Sequence, residues 1–309
     1  MGLLKRKTLM AAKIESTAYT AESLANADSS HNFYDASMKV AIDTNQRMSV
    51  NTFSNRKSTN GGRSATITFK TDLVGNGDGA APGWADLLLP ACGFVKATTT
   101  FGPVSEAPGS SVKTLTIAVY EDGRKKLAKG IVGSFKLVCA SGKDIMIEWT
   151  FTGAWVQSTD SAMLTPTYPT LVPFRFSSAT VALGSYTPCL QKLEIDAGNN
   201  VVLREDPAET SGYKGAIITD RNIVGTADPE SQLVAGYDTY GKWIANTEEA
   251  FSVAVDDGTD VVTITAPKCE ITNIDDGDRN SLRTDPISFQ ANLDSSGDDE
   301  LTIAFSASV

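Results

Sequence analysis

The stretches Met38-Lys39-Val40-Ala41-Ile42-Asp43-Thr44-Asn45-Gln46 and Gln191-Lys192-Leu193-Glu194-Ile195-Asp196-Ala197-Gly198-Asn199 read as one β-strand written twice. Each copy leads into the same series of segments. A polar, Gly-bearing stretch comes first, residues 51–63 and 204–214. A short β-like run is next, Ala65-Thr66-Ile67-Thr68-Phe69 and Ala216-Ile217-Ile218-Thr219. A Trp-bearing segment of helical character succeeds it, residues 83–92 and 237–247. Then comes a strand ending in Asp-Gly, Ala118-Val119-Tyr120-Glu121-Asp122-Gly123 and Ala254-Val255-Asp256-Asp257-Gly258. Two further strands close each unit. A solenoid repeat spans roughly 20–50 residues, so this period is too long for one. The expectation is two tandem domains, residues 1–165 with an N-terminal arm and residues 166–309. Each is close to the usual domain size.

Strand signals dominate. Residues 64–73, 114–120, 134–138, 145–151, 251–255, 261–264 and 270–274 alternate apolar and polar side chains and are rich in Val, Ile, Thr and Phe. Asp122-Gly123, Ser141-Gly142, Asp257-Gly258, Asp276-Gly277 and Ser296-Gly297 supply turns between them. Short strands with regular turns predict a mainly β chain, with an antiparallel sandwich or barrel in each half. One short helix flanks each. Trp84, Leu87, Leu88 and Ala91 recur at helical spacing and predict a helix whose apolar face covers a sheet, with Pro90 ending it. Trp243 marks the weaker counterpart. Trp84, Leu87, Leu88 and Trp243 are therefore expected in helix-to-sheet packing. The connector, residues 158–173, is stiffened by Pro166, Pro169 and Pro173.

Composition excludes several classes of function. The chain has 309 residues, 41% hydrophobic and 21% charged, with a formal net charge of −10. That acidity argues against gripping nucleic acid through phosphates, and allows a wall past which nucleic acid slides. No apolar run reaches the ~18 residues of a membrane span. The basic start, residues 1–7, lacks a secretion-signal core and reads as an ordered or adaptable arm on a protein kept in the cytosol. Cys92, Cys139, Cys189 and Cys269 match no zinc spacing and are expected as buried free thiols.

Chemistry-bearing motifs are scarce. His31 is the one histidine and has no nucleophile motif near it. The acidic run Asp275-Asp276-Gly277-Asp278-Arg279-Asn280 suits a solvated hairpin turn better than a calcium loop, because it lacks EF-hand spacing. No catalytic residue, metal ligand or cofactor site is assigned. Charge contrast between the copies is more telling. Arg56, Lys57 and Arg63 sit in the first polar loop; Glu205, Asp206 and Glu209 sit in the second. Such loops at matching positions would set register between adjacent units. Arg124-Lys125-Lys126 reads as a contact with an acidic neighbour in an assembly, or as a strand edge protected by charge.

The ordered series of blocks resembles the major tail tube proteins of long-tailed bacteriophages. It comprises Leu9-Met10-Ala11-Ala12-Lys13-Ile14-Glu15-Ser16-Thr17; Ser64-Ala65-Thr66-Ile67-Thr68-Phe69 leading to Trp84-Ala85-Asp86-Leu87-Leu88-Leu89-Pro90-Ala91-Cys92-Gly93-Phe94; Gly133-Ser134-Phe135 with Ile147-Glu148-Trp149-Thr150-Phe151-Thr152-Gly153; and Asp220-Arg221-Asn222-Ile223-Val224-Gly225-Thr226-Ala227-Asp228-Pro229-Glu230. The resemblance covers most of the chain. It implies two tail-tube-like β domains whose sheets join side by side into a ring, with rings stacked into a hollow tube through which DNA passes. It also implies a non-enzymatic virion protein, assembled in the host cytoplasm, that polymerises around a length-setting protein between tail-tip and terminator proteins. Relatives with one domain per chain form rings of six. Two fused copies imply a homotrimeric ring of pseudo-sixfold symmetry, with a hexamer in which the second copy is an outward decoration as runner-up. Two other classes stand beside this one. A two-domain β-sandwich binding module of a surface or carbohydrate-binding protein would show a secretion signal and exposed aromatic platforms. A hydrolase with paired carboxylates would show a deep acidic cleft.

Overall fold

The computed structural model describes residues 2–308. Met1 and Val309, the outer ends of the two expected domains, lie outside the described residues. The first half carries β1 (Thr8–Ile14), β2 (Phe33–Met48), β3 (Asn55–Asp72), α1 (Gly83–Leu88), β4 (Phe94–Ala97), β5 (Thr100–Pro103), β6 (Leu115–Glu121), β7 (Arg124–Ala140) and β8 (Met146–Asp160). The second half carries β9 (Thr180–Leu183), β10 (Leu190–Asp196), β11 (Asn199–Glu205), β12 (Tyr213–Arg221), β13 (Val224–Pro229), α2 (Thr239–Ile244) and β14 (Glu249–Asp256). It continues with β15 (Asp260–Ile274), β16 (Gly277–Arg279), β17 (Leu282–Thr284), β18 (Ile287–Ala291) and β19 (Thr302–Ala307). The fold is mainly β and antiparallel.

In the first half the strands pair in the order β1-β6-β7-β8-β3-β2. In the second they pair β9-β14-β15-β18-β13-β10, the same path through the same series of hairpins. The halves are not separate sheets. The end of β7 pairs with β10, Lys136↔Asp196 through Ala140↔Lys192. One sheet therefore runs β2-β3-β8-β7-β10-β13-β18-β15, and it does not close on itself. A second link runs along the other layer. The C-terminal β19 pairs with β15 and with β5 of the first half.

Period-2 alternation makes the long sheet two-faced. On β8, Ile147, Trp149 and Phe151 are buried while Thr150 is exposed. The buried face meets α1, whose Trp84 ring lies edge-on to Trp149 at 6.1 Å between centroids. Trp84 Nε1 donates to the Val74 carbonyl at 3.1 Å, so the indole leaves no buried donor unpaired. Trp84 and Leu88 are buried and Leu87 packs at the margin, as the spacing predicts. The helix stops at Leu88; a 3₁₀ turn over Leu89–Cys92 succeeds it, and Gly93 ends it in the left-handed conformation, φ 76°. In α2 Thr239 is the buried residue and Trp243 packs partly against the core.

The halves are also pinned by a buried carboxylate. Asp260, at the start of β15, is 3% exposed. It accepts hydrogen bonds from the backbone N–H of Gly77 (2.6 Å) and Gly79 (2.7 Å), in the loop after β3. Gly79 has φ +76°, and a Cβ there would lie 2.3 Å from the Ala307 nitrogen.

Three features differ from the sequence expectation, and a fourth element, the hairpin β4–β5 over residues 94–103, is not anticipated by it. Residues 55–63, read as loop, are strand. Cys92, Cys139 and Cys269 are buried, but Cys189 is exposed, with its thiol 3.3 Å from the Glu230 carboxylate. The acidic run 275–280 is a solvated part of a hairpin, as expected, but most of it is the strand β16 and its approach; it supplies one turn residue, Asn280, which with Ser281 turns β16 into β17 at positive φ. Among the described residues no group of three or more His, Cys, Asp or Glu is placed to hold a metal ion.

Candidate assembly surface

The long sheet has two unpaired ends. Among the described residues β2 pairs only with β3, and its outer edge is bare along the strand. At the other end, β14 covers one edge of β15 only as far as Cys269. Beyond it, Glu270–Ile274 pairs with β18 on the opposite side alone. The equivalent end of β7, Lys136–Ala140, is the part that pairs with β10. A bare strand edge exposes a row of backbone donors and acceptors ready for another strand.

The face opposite the core is polar. Lys39, Thr66, Thr68, Lys70, Glu148 and Thr150 occupy it in the first half; Glu194, Thr226, Ser288 and Gln290 occupy it in the second, none of them buried. Two of its lysines are neutralised in the plane of the sheet. Lys70 Nζ lies 2.7 Å from Glu148, and Lys136 Nζ lies 2.5 Å from Glu194. This second pair spans the junction of the halves.

Each half extends its sheet into a two-stranded ribbon. In the second half β11–β12 is the ribbon, and it lies down on the first half. Arg63 N–H donates to the Ser211 carbonyl at 2.8 Å, and the Arg63 guanidinium donates to Thr210. Tyr213 Oη donates to Asp43 at 3.1 Å. Lys129 Nζ lies 2.9 Å from Glu209. Gly130 (φ +59°) and Gly215 bring the two backbones together; a Cβ on Gly130 would meet Gly215 Cα at 2.8 Å. In the first half the distal parts of β2 and β3 form the ribbon. Residues 41–48 and 50–60 are exposed throughout, with Met48, Val50 and Phe53 pointing into solvent at the tip. Such a ribbon is marginal in water without a surface to lie on.

Of the other charged residues singled out by the sequence, Arg56 and Lys57 lie on the exposed ribbon. Arg124 and Lys126 both hold Glu121 of their own hairpin. Burial pushes the Glu121 carboxyl up, but Lys126 and Arg124 outweigh it and leave it below the usual range. Lys125 is half-buried on β7. Glu205 is exposed, and Asp206 accepts from Ala208 N–H to shape the tip of the second ribbon. The structure thus places Arg63 beside the second ribbon and Glu209 on Lys129. Sequence reasoning did not single out Lys129, Tyr213 or the β7–β10 junction.

One sheet with two open ends, a polar face opposite its core and a projecting ribbon is the form of a structural subunit. The comparison with known families agrees. Residues 5–307 match the family of phage tail tube proteins, and the chain belongs to that family. It is a structural component of the phage tail. No curated protein matches the sequence.

Proposed function

We propose that three chains close into a ring, and that rings stack into the hollow tube through which DNA passes. The observation that carries this reading is the β7–β10 junction. It joins two halves of the same strand order, and the partners it would need to repeat, the bare end of β15 and the bare edge of β2, sit at opposite ends of one sheet. Repeating it between chains pairs residues 272–276 with the first part of β2 in the next copy. Each chain contributes eight strands, so three chains contribute twenty-four. At a strand spacing of about 4.8 Å and a tilt of about 35–45°, that barrel has a backbone diameter of about 45–50 Å. Six chains would give a channel about twice as wide. In this reading residues 1–165 and 166–309 are two tail-tube domains at quasi-equivalent positions.

The polar face then lines the bore. Its Thr and Ser carry no charge, and Lys70 and Lys136 are held by glutamates, which leaves the exposed Lys39 as the lysine named on this face that could hold phosphate. Backbone hydrogen bonds and burial of β2 supply the driving force. The role is structural, not enzymatic, and is exercised in the virion tail after assembly in the host cytoplasm with length-setting, tip and terminator proteins. Native mass spectrometry and negative-stain microscopy of the purified chain test it. The expected result is species in multiples of three chains and tubes of uniform width. A monomer at every concentration and salt tried would overturn it.

A further inference from the structure

We infer that the exposed β2–β3 ribbon of each chain docks in an acidic groove of its neighbour, formed by the second half together with the first-half loop after β5, and that opposite charges at the two kinds of junction keep the halves in alternating order. The inference rests on the ring reading above and says which surfaces choose the partner.

The groove has a volume of about 770 Å³. It lies between the loop after β5, the end of β12 and the loop between β18 and β19. Val104, Ile217 and Leu293 line it, and Glu106, Asp220 and Glu300 are among its acids. Asp298 and Glu300 hold the groove's Arg221, at 2.9 and 2.6 Å, which still leaves the acids in excess. Asp298 is buried enough to push its carboxyl up, but hydrogen bonds from Ser105 and the Arg221 charge bring it below the usual range.

Topology places the groove where a ribbon belongs. The second-half ribbon seats on the first half along β7, β8 and the stretch of β3 around Gly62 and Arg63. Matching the two strand paths through the core pairs Phe69↔Trp149 and Gly225↔Phe289 sets Arg63 against Thr219, about five residues out of register with the sequence expectation that set Ala65–Phe69 against Ala216–Thr219. Thr219 and Asp220 are exposed and line the groove. The same matching carries Ser211, which accepts from Arg63, to Asn55, at the tip of the first ribbon next to Ser54. That tip carries Val50 and Phe53, the two most exposed large apolar side chains among the described residues.

Charge completes the fit. Within the chain a ribbon with an acidic tip, Glu205, Asp206 and Glu209, flanked by Arg204 and Lys214, lies on a surface that includes Lys129 and Arg63. Between chains a basic ribbon, Arg47, Arg56 and Lys57, would lie on an acidic groove. A first-half ribbon on a first-half surface sets basic against basic, and the second-half pairing sets acid against acid. Like-charge pairing disfavours both and leaves alternation.

Two experiments on the full chain test this. The first replaces Ser54 and Thr219 by Cys in a Cys189→Ser background and oxidises the polymer. The expected result is covalent dimers and trimers on a non-reducing gel, absent under conditions that keep the chain monomeric. The second is the charge reversal Arg56→Glu with Lys57→Glu. Those side chains are exposed, so the melting temperature should hold while the concentration needed to polymerise rises at least about tenfold. Adding Glu106→Lys and Asp220→Lys should restore polymerisation. Wild-type tubes that form while the cysteines stay unlinked and the reversal has no effect would overturn the docking and leave the ring standing. A wild-type chain that never polymerises would bring down both.

Discussion

Replacing Asp260 by Ala should loosen the two halves from each other, and its contacts set the cost. The carboxylate is 3% exposed and accepts two short hydrogen bonds, from Gly77 and Gly79, which sit in the other half of the chain. A hydrogen bond to a charged group is worth about 1.5–3 kcal/mol net, and a buried donor left without a partner forfeits that or more. Losing two gives about 3–6 kcal/mol. For a chain of 309 residues the unfolding entropy is about 0.65 kcal/mol/K, so the melting temperature should fall by about 5–9 °C. Asp260→Asn keeps one acceptor oxygen and should lose about half as much. Differential scanning calorimetry of the two variants in parallel reads both values. The alanine variant should also broaden or split the transition as the halves uncouple. A shift under about 1 °C for Asp260→Ala would show that this contact does not hold the halves together, because a buried carboxylate with two backbone partners cannot be removed at so little cost.

Three further outcomes are expected. Trp84→Ala removes the ring packed on Trp149 and the bond to Val74, and should cost about 3–5 kcal/mol in urea unfolding; a loss below about 1 kcal/mol would contradict its place in the core. Burial pushes the Glu15 carboxyl above its ordinary 4.5, against hydrogen bonds from Gly130, Thr114, Thr116 and Tyr19, so its contribution to stability is greatest below pH 4.5 and declines as pH rises through the folded value. The difference in melting temperature between wild type and Glu15→Gln should therefore drift across that window; a difference independent of pH would count against it. A thiol reagent at about pH 8 should label Cys189 ahead of the other three, because it is exposed; the Glu230 carboxylate beside it raises its thiol too, while burial pushes Cys139 and Cys269 up to about 12 and Cys92 well above the ordinary value; labelling of a buried cysteine as fast as Cys189 would be inconsistent with the burial.

How much of this was legible in the sequence depended on which forces leave a local trace. β8 was plain, because Ile147, Trp149 and Phe151 alternate with polar residues and burial on one face writes itself as a period of two. The helix at Trp84 was plain for the same kind of reason, with a proline and a glycine marking its end. Residues 55–63 were not, because neither face of that ribbon is buried in the chain, so Asn55-Arg56-Lys57-Ser58-Thr59-Asn60 carries no periodicity. The hairpin β4–β5 is short and its turn, Thr98-Thr99, lacks the glycine that usually signals one. The β7–β10 junction was illegible on other grounds. It joins residues more than fifty apart through backbone groups that every sequence possesses. Charge contrast between the copies could be read directly, but not where it acts. Glu209 meets Lys129, which lies in a strand interior and had no reason to stand out, while Arg124 and Lys126 turned to Glu121 of their own hairpin.

Cryo-electron microscopy of the polymer is the sharpest test of the three-chain ring. The expected map has threefold rotational symmetry, a twenty-four-strand inner barrel of about 45–50 Å backbone diameter, and a ladder between residues 272–276 of one chain and β2 of the next. Six chains per ring, or an inner wall in which β2 keeps its edge bare, would contradict it.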